Sequence, residues 1–205
     1  GYPVGSRTTA GCFSFFPGKN LGALGDAGIV VTNDQAVAEK VRALANHGRQ
    51  EKYFHDDIGY NARIDELQAA FLNIKLCYLE DWNEQRRTLA ACYNETLAGL
   101  PLELPPSWNE NRIPNFHLYV VHCENLGIRN SLADHLKTQG IQTGIHYPVP
   151  LHFQPGLKFL GHEPGSLPVS EQAAERMLSL PIYPGMTTDQ QDYVIEKITE
   201  FFKKS

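Results

Sequence analysis

Lys19 stands in a stretch, CFSFFPGKNLGALGDAG (Cys12–Gly28), whose residue types could do covalent chemistry. A lysine amine is a nucleophile only once it has lost its proton, and desolvation or a nearby cation promotes that loss. The apolar residues ahead of Lys19 would form a dry wall, and Gly18, Gly22, Gly25 and Gly28 would leave room for a flat ligand. Ser14 could donate its hydroxyl to a phosphate. The plain alternative, which residue types alone leave open, is a solvated loop cation beside a strand-edge hydroxyl. A phosphate loop of the Walker type is excluded, because PGKN lacks both the Ser or Thr after the lysine and the upstream glycine. Asp26, in GDAG, reads as a turn former rather than a catalytic acid.

The elements that must position these residues alternate along the chain. Ala27–Asn33 reads as a short buried strand, since Ile29, Val30 and Val31 are consecutive and β-branched. Asn33 is placed to cap a helix with Asp34 in its first turn, Val37, Val41 and Leu44 on its apolar face and Gly48 as its left-handed stop. Asp65 with Gln68 looks like a capping box that opens a long helical segment. Leu67, Phe71, Ile74, Tyr78 and Trp82 would form its buried stripe, continued by Leu89, Tyr93 and Leu97 and ended by Gly99 and Pro101. A segment of that length is expected to link two domains, with a bend. After a Pro/Asn-rich connection, NFHLYVVHC alternates as a strand with Phe116, Leu118 and Val120 on one side. Helices are expected at 129–139, 170–178 and 188–203, a strand at 141–148, and a bend over SLPIYPGMT (Ser179–Thr187). The pattern is α/β first and a smaller α+β piece after it.

Composition narrows the function classes. The 205 residues are 42% hydrophobic and 10% aromatic, which describes an ordinary folded core. A net charge of -5 argues against a nucleic-acid surface. No apolar run approaches the ~20 residues of a membrane span, and the start lacks a basic-then-apolar leader. Cys12, Cys77, Cys92 and Cys123 are widely spaced without a CxxC pair, so reduced, buried thiols in a cytoplasmic protein are expected, and no metal site. The chain enters an apolar strand almost at once, which suggests that an earlier stretch belongs with it.

The lysine segment GCFSFFPGKNLGALGDAG resembles the cofactor-lysine segment of the DegT/DnrJ/EryC1/StrS sugar aminotransferases. GYNARIDELQAA (Gly59–Ala70), HYPVPLHFQP (His146–Pro155) and SLPIYPGMT follow in the family's order, so the resemblance spans nearly the whole chain. It implies a pyridoxal-phosphate-dependent fold of type I, similar to aspartate aminotransferase. Residues 1–98 would be the end of the large domain with the interdomain helix, and 99–205 the small C-terminal domain. By the same resemblance, Lys19 matches the lysine that holds pyridoxal 5′-phosphate as a Schiff base, and Ser14 the serine that hydrogen-bonds its phosphate. Asn61 matches the asparagine that reaches the phosphate of the partner subunit in a homodimer. His146 and Tyr147 fall where family loops meet the nucleotide-sugar. Arg63 and Gln68 would brace the Asn61 loop or serve as polar residues at a helix start. His152 is open between a substrate contact and a satisfied loop histidine.

The resemblance implies transfer of an amino group from L-glutamate to a nucleotide-linked keto-deoxysugar. The motifs look most like members acting at C3 of a dTDP-3-keto-6-deoxyhexose, with amination at C4 of a 4-keto-6-deoxy sugar as the alternative. A catalytically inactive binding relative is a further alternative, against which stand the intact Lys19, Ser14 and Asn61. The family's carboxylate for the pyridine nitrogen precedes its lysine by a long stretch. A missing N-terminal half is therefore expected, without which this chain would be inactive.

Overall fold

Two compact units organise the protein. The computed structural model describes residues 2–109 and 111–204. One unit comprises Gly1–Asp81 with Glu110–Arg112, and the other Trp82–Asn109 with Ile113–Ser205.

In the first unit, strands β1 (Gly11–Ser14) and β2 (Gly28–Val31) pair antiparallel, Gly11 opposite Val31 and Ser14 opposite Gly28. Ile29, Val30 and Val31 are 46%, 38% and 41% exposed, so β2 is not the buried strand that its composition predicts. A two-stranded ribbon has two faces and covers neither by itself. Helix α1 (Gln35–Ala45) follows. Its cap is Asp34 rather than Asn33: the Asp34 carboxylate accepts from the Ala36 and Val37 N–H groups. The helix ends as expected near Gly48, whose φ of 71° is left-handed. A short ribbon of β3 (Arg49–Glu51) and β4 (Phe54–His55) comes next.

Helix α2 (Glu66–Leu76) and helix α3 (Leu79–Thr96) occupy the long helical segment, interrupted at 77–78. Asp65 sits at the cap of α2 without a side-chain bond, so the capping box does not form. The apolar stripe predicted for α2 is turned outward: Leu67, Phe71, Ile74 and Tyr78 are between 44% and 76% exposed. Leu72 is the residue of α2 that is buried, and Gln68 and Lys75 flank it on the same stripe. Their partners are backbone groups of the lysine loop, which demand polar side chains rather than apolar ones.

The second unit contains α3 from Trp82 onward. The reason lies in Ala90, Tyr93 and Leu97, which are 0% exposed within this unit's core. Its sheet has the order β5-β6-β7, all antiparallel, from β5 (Leu102–Glu103), β6 (Tyr119–Cys123) and β7 (Met177–Leu180). Helix α4 (Leu126–Thr138) packs on β6 and β7 and against α6 (Thr188–Lys204), while α5 (Pro168–Arg176) packs on α4 and β6. Leu132, Leu136, Val121, Leu178 and Ile198 are fully buried between these layers. Each contributes about 1.5–3 kcal/mol of hydrophobic stabilisation.

Three predictions for this unit are corrected. Tyr119, Val121 and Cys123 are the inward side of β6; of the predicted Phe116, Leu118 and Val120, only Phe116, ahead of the strand, is buried, and Leu118 and Val120 are half-buried. The alternation is broken upstream at Phe116, whose φ is 41°, so its parity does not carry into the strand. The expected strand at 141–148 is reduced to one bridge between Gly144 and Ser179. Met177–Leu180 is a strand paired with the central β6 rather than part of a helix and a bend, because its pairing lies far away in sequence. The four thiols are free, but Cys12 and Cys77 are exposed; of the expected buried thiols only Cys123 is fully so, its thiol pushed up to about 11 by burial.

Candidate active site

The loop between β1 and β2 is closed on itself by backbone hydrogen bonds. Phe15 N–H donates to Ala27 O, Ala23 N–H to Phe15 O and Lys19 N–H to Phe16 O, each at 2.8 Å. Phe16 N–H donates to Ser14 Oγ at 3.2 Å. The hydroxyl and the lysine backbone thus share one tight turn at the end of β1. Ser14 is exposed and uses its oxygen as an acceptor here, which leaves its proton to donate to an anion. Lys19 is half-buried. At Gly22 a Cβ would lie 2.2 Å from Pro17 O, so only glycine lets the two arms of the loop meet behind the lysine.

The same unit positions Asn61. Tyr60 N–H donates to Leu44 O and Ala62 N–H to Ala45 O, at 2.7 and 2.9 Å, which fastens the GYN segment to the end of α1. Gly59 and Gly48 pass backbone to backbone: a Cβ on Gly59 would sit 2.0 Å from Gly48 N. Arg63 Nη2 donates to Asn61 Oδ1 at 3.2 Å. With its oxygen engaged, the exposed Asn61 amide presents its NH₂ donors, the half suited to an anion. Arg63 therefore braces Asn61. Gln68 does not; its Oε1 accepts from Leu24 N–H at 2.8 Å, in the lysine loop. Lys75 Nζ, which the sequence reading missed, donates to Gly22 O. The signal that could have found it is the 68–72–75 spacing, a single helical stripe.

His146 and Tyr147 lie in the second unit. His146 Nδ1 is 2.9 Å from Ser179 Oγ, and the ring folds over Gly144, where a Cβ would be 2.5 Å from His146 Cε1. Tyr147 is 71% exposed. It lines an open cleft of about 930 Å³ with Leu151, His152, Leu157, Leu160 and Met177.

His152 is a satisfied loop histidine: it is buried, and its Nε2 lies 3.2 Å from Glu171 Oε1. Glu171 also accepts from the Leu167 and Gly165 N–H groups at 3.0 and 2.7 Å. These bonds, the Leu167 amide foremost, then the Gly165 amide and His152, hold the Glu171 carboxyl below its ordinary value of 4.5. A carboxylate with a lower pKa folded than unfolded adds stability above the unfolded pKa and loses it as the pH falls through the folded one. The melting temperature of Glu171→Gln should therefore fall below that of the parent at neutral pH. The gap should close as the pH drops beneath about 4.5, and a gap independent of pH would contradict this account.

Chemically, the first unit assembles a primary amine, a hydroxyl with a free proton and an amide with free donors, on loops whose glycines permit close approach. The amine and the hydroxyl share one turn and fit a phosphorylated aldehyde, the amine for the carbonyl carbon and the hydroxyl for a phosphate oxygen, while the Asn61 amide stands on a separate loop.

Comparison with known proteins decides the family. The sequence profile of the DegT/DnrJ/EryC1/StrS aminotransferase family matches residues 1–199. The chain belongs to this family. It is similar to the erythromycin biosynthesis sensory transduction protein EryC1 of Saccharopolyspora erythraea, at 49% identity over 95% of this chain and 52% of that protein. It is also similar to the dTDP-3-amino-3,4,6-trideoxy-α-D-glucose transaminase of Streptomyces venezuelae, at 43% identity over 100% of this chain and 53% of the relative. The crystal structure of S. venezuelae DesV in complex with a ketimine intermediate superimposes with a TM-score of 0.92, covering 98% of this chain and 54% of that one, at 43% identity. The mixed α/β fold is thus that of the family's sugar aminotransferases. The chain spans about half the length of the curated relatives it matches. No helix among the described residues is long and apolar enough to cross a membrane.

Proposed function

We propose that this chain carries the lysine-bearing part of a pyridoxal-phosphate-dependent nucleotide-sugar aminotransferase. Residues 1–98 would close the large domain and 99–205 form the small one. The observation that carries the reading is the turn that puts Lys19 beside Ser14, whose hydroxyl proton is unspent.

When bound, pyridoxal phosphate supplies an electron sink for bonds at the carbon bearing the amino group. Lys19 Nζ would hold the cofactor covalently and, as a free amine, would move a proton from the donor's amino-bearing carbon to the carbon that carries the cofactor's aldehyde. Ser14 Oγ donates to the cofactor phosphate. Asn61 Nδ2, oriented by Arg63, donates to the phosphate bound by the partner subunit of a homodimer. His146 and Tyr147 meet the nucleotide-sugar. The donor is L-glutamate and the acceptor a dTDP-3-keto-6-deoxyhexose aminated at C3. Relatives named for dTDP-3-amino sugars, at 43% and 42% identity, support C3 over C4. The exposed free thiols of Cys12 and Cys77 suit the cytoplasm.

The full-length protein tests this. Incubation with pyridoxal phosphate and borohydride should fix the cofactor on the peptide containing Lys19, and a label on another lysine would refute the assignment. With L-glutamate and dTDP-3-keto-6-deoxyglucose, NMR of the product should show nitrogen at C3. Amination of the 4-keto isomer alone would move the reading to C4.

A further inference from the structure

We propose that Gln68 and Lys75 are positioning residues for Lys19, clamping the lysine loop onto helix α2 from outside the set of residues that touch the cofactor. The inference rests on the reading of Lys19 as the cofactor lysine and adds to it.

The loop satisfies its own backbone at Phe15, Lys19 and Ala23. Among the described bonds, the Leu24 N–H and the Gly22 carbonyl are served by side chains instead: Gln68 Oε1 for the first, at 2.8 Å, and Lys75 Nζ for the second. Both come from one stripe of α2, seven positions apart and therefore nearly in line on the helix. Gly22 and Ala23 are buried there. At Gly25 a Cβ would stand 2.8 Å from Gln68 Nε2, so the helix and the loop are in close contact at a second point.

The clamp reaches the lysine through backbone contact. Gly22 lies against Pro17 O so closely that a Cβ would be 2.2 Å away. Pro17 and Gly22 bracket Lys19, two residues after the one and three before the other. A shift of Gly22 that follows loss of its lysine partner must move Pro17, and with it the turn bearing Nζ. An amine that attacks a carbonyl depends on alignment, and a misplacement of about 1 Å costs on the order of 100-fold. The polar stripe also accounts for the outward turn of the predicted apolar face: α2 spends its inward side on holding this loop.

The test uses the full-length protein with Gln68→Ala, Gln68→Glu and Lys75→Met. Without cofactor, Gln68→Ala should speed hydrogen–deuterium exchange in the peptide over 20–26. With pyridoxal phosphate it should slow covalent capture at Lys19 by roughly 10- to 100-fold and move the pH midpoint of the lysine-bound cofactor's absorbance. Lys75→Met should act in the same direction. Gln68→Glu keeps an oxygen acceptor for Leu24 N–H and should recover most of the capture rate. Should the alanine variant not fold, Gln68→Met, which fills the space without an acceptor, is read in its place. Parental capture rate and pH midpoint in Gln68→Ala, whatever its melting temperature, would overturn the positioning role. So would failure of Gln68→Glu to recover where both alanine and methionine are impaired. If the parent captures cofactor on Lys19 and these variants match it, only the clamp fails; if the parent captures none there, the reading of Lys19 fails as well.

Discussion

Lys19→Ala in the full-length protein should abolish amino transfer and covalent retention of pyridoxal phosphate together. On the proposed reading two roles converge on one nitrogen, and alanine would remove both. Proton transfer by a positioned group contributes about 10²–10⁴-fold. Covalent anchoring adds the advantage of an oriented, effectively intramolecular reactant. The combined loss should therefore reach roughly 10⁴-fold in kcat or more. Lys19→Arg is the sharper control: it keeps a cation in the same turn but carries no amine able to lose its proton. It should be as inactive as alanine while preserving the charge. Kinetics under saturating cofactor, with mass analysis after borohydride, measure both effects. Turnover within tenfold of the parent in either variant would remove Lys19 from the mechanism.

The second large effect is structural and concerns Arg86. This residue of α3 is 6% exposed, and its Nη1 donates to Phe116 O, His117 O and Ile182 O at 3.1, 3.3 and 2.9 Å. One guanidinium nitrogen thus ties the loop before β6 to the loop after β7. Burial lowers the pKa of Arg86 from its ordinary value, yet an arginine remains charged inside proteins. Arg86→Met has similar reach and relieves the cost of burying a charge, but it strands three carbonyls. Hydrogen bonds to charged groups contribute about 1.5–3 kcal/mol each, and orphaned buried partners cost in addition. The net loss should be roughly 3–5 kcal/mol, a large part of a stability of typically 5–15 kcal/mol. Arg86→Lys, which can serve one carbonyl well, should fall between. Urea unfolding of the full-length variants reads the effect. A methionine variant within about 1 kcal/mol of the parent would show that solvent or relaxation satisfies those carbonyls.

Both predictions start from residues whose type was legible and whose partners were not. Ser14, Lys19 and Asn61 were singled out by the resemblance of four motifs in order, whereas residue types alone left a solvated loop cation open. The requirement for glycine at Gly22, Gly48 and Gly59 is steric: a Cβ at each would run into backbone. Helices α1, α4 and α6 were likewise readable from periodicity and caps, within a residue or two at most ends.

What escaped the sequence involves partners distant along the chain. Strand β7 is a strand only because β6 lies beside it, and no local pattern in MLSL says so. The side of β6 that faces inward was decided by the left-handed turn at Phe116. Gln68 was read as half of a capping box, and its amide instead meets a backbone group 44 residues away. The apolar stripe of α2 predicted burial, but which face a helix buries depends on what it packs against, and here the lysine loop asked for hydrogen bonds.

The sequence by itself determined the family, through the motifs around Lys19 and those that follow it, because these depend on residue identity at short spacing. Only the tertiary structure decided which side chains hold that lysine's loop in place. Backbone groups left unpaired by a tight turn must find donors and acceptors wherever the fold delivers them.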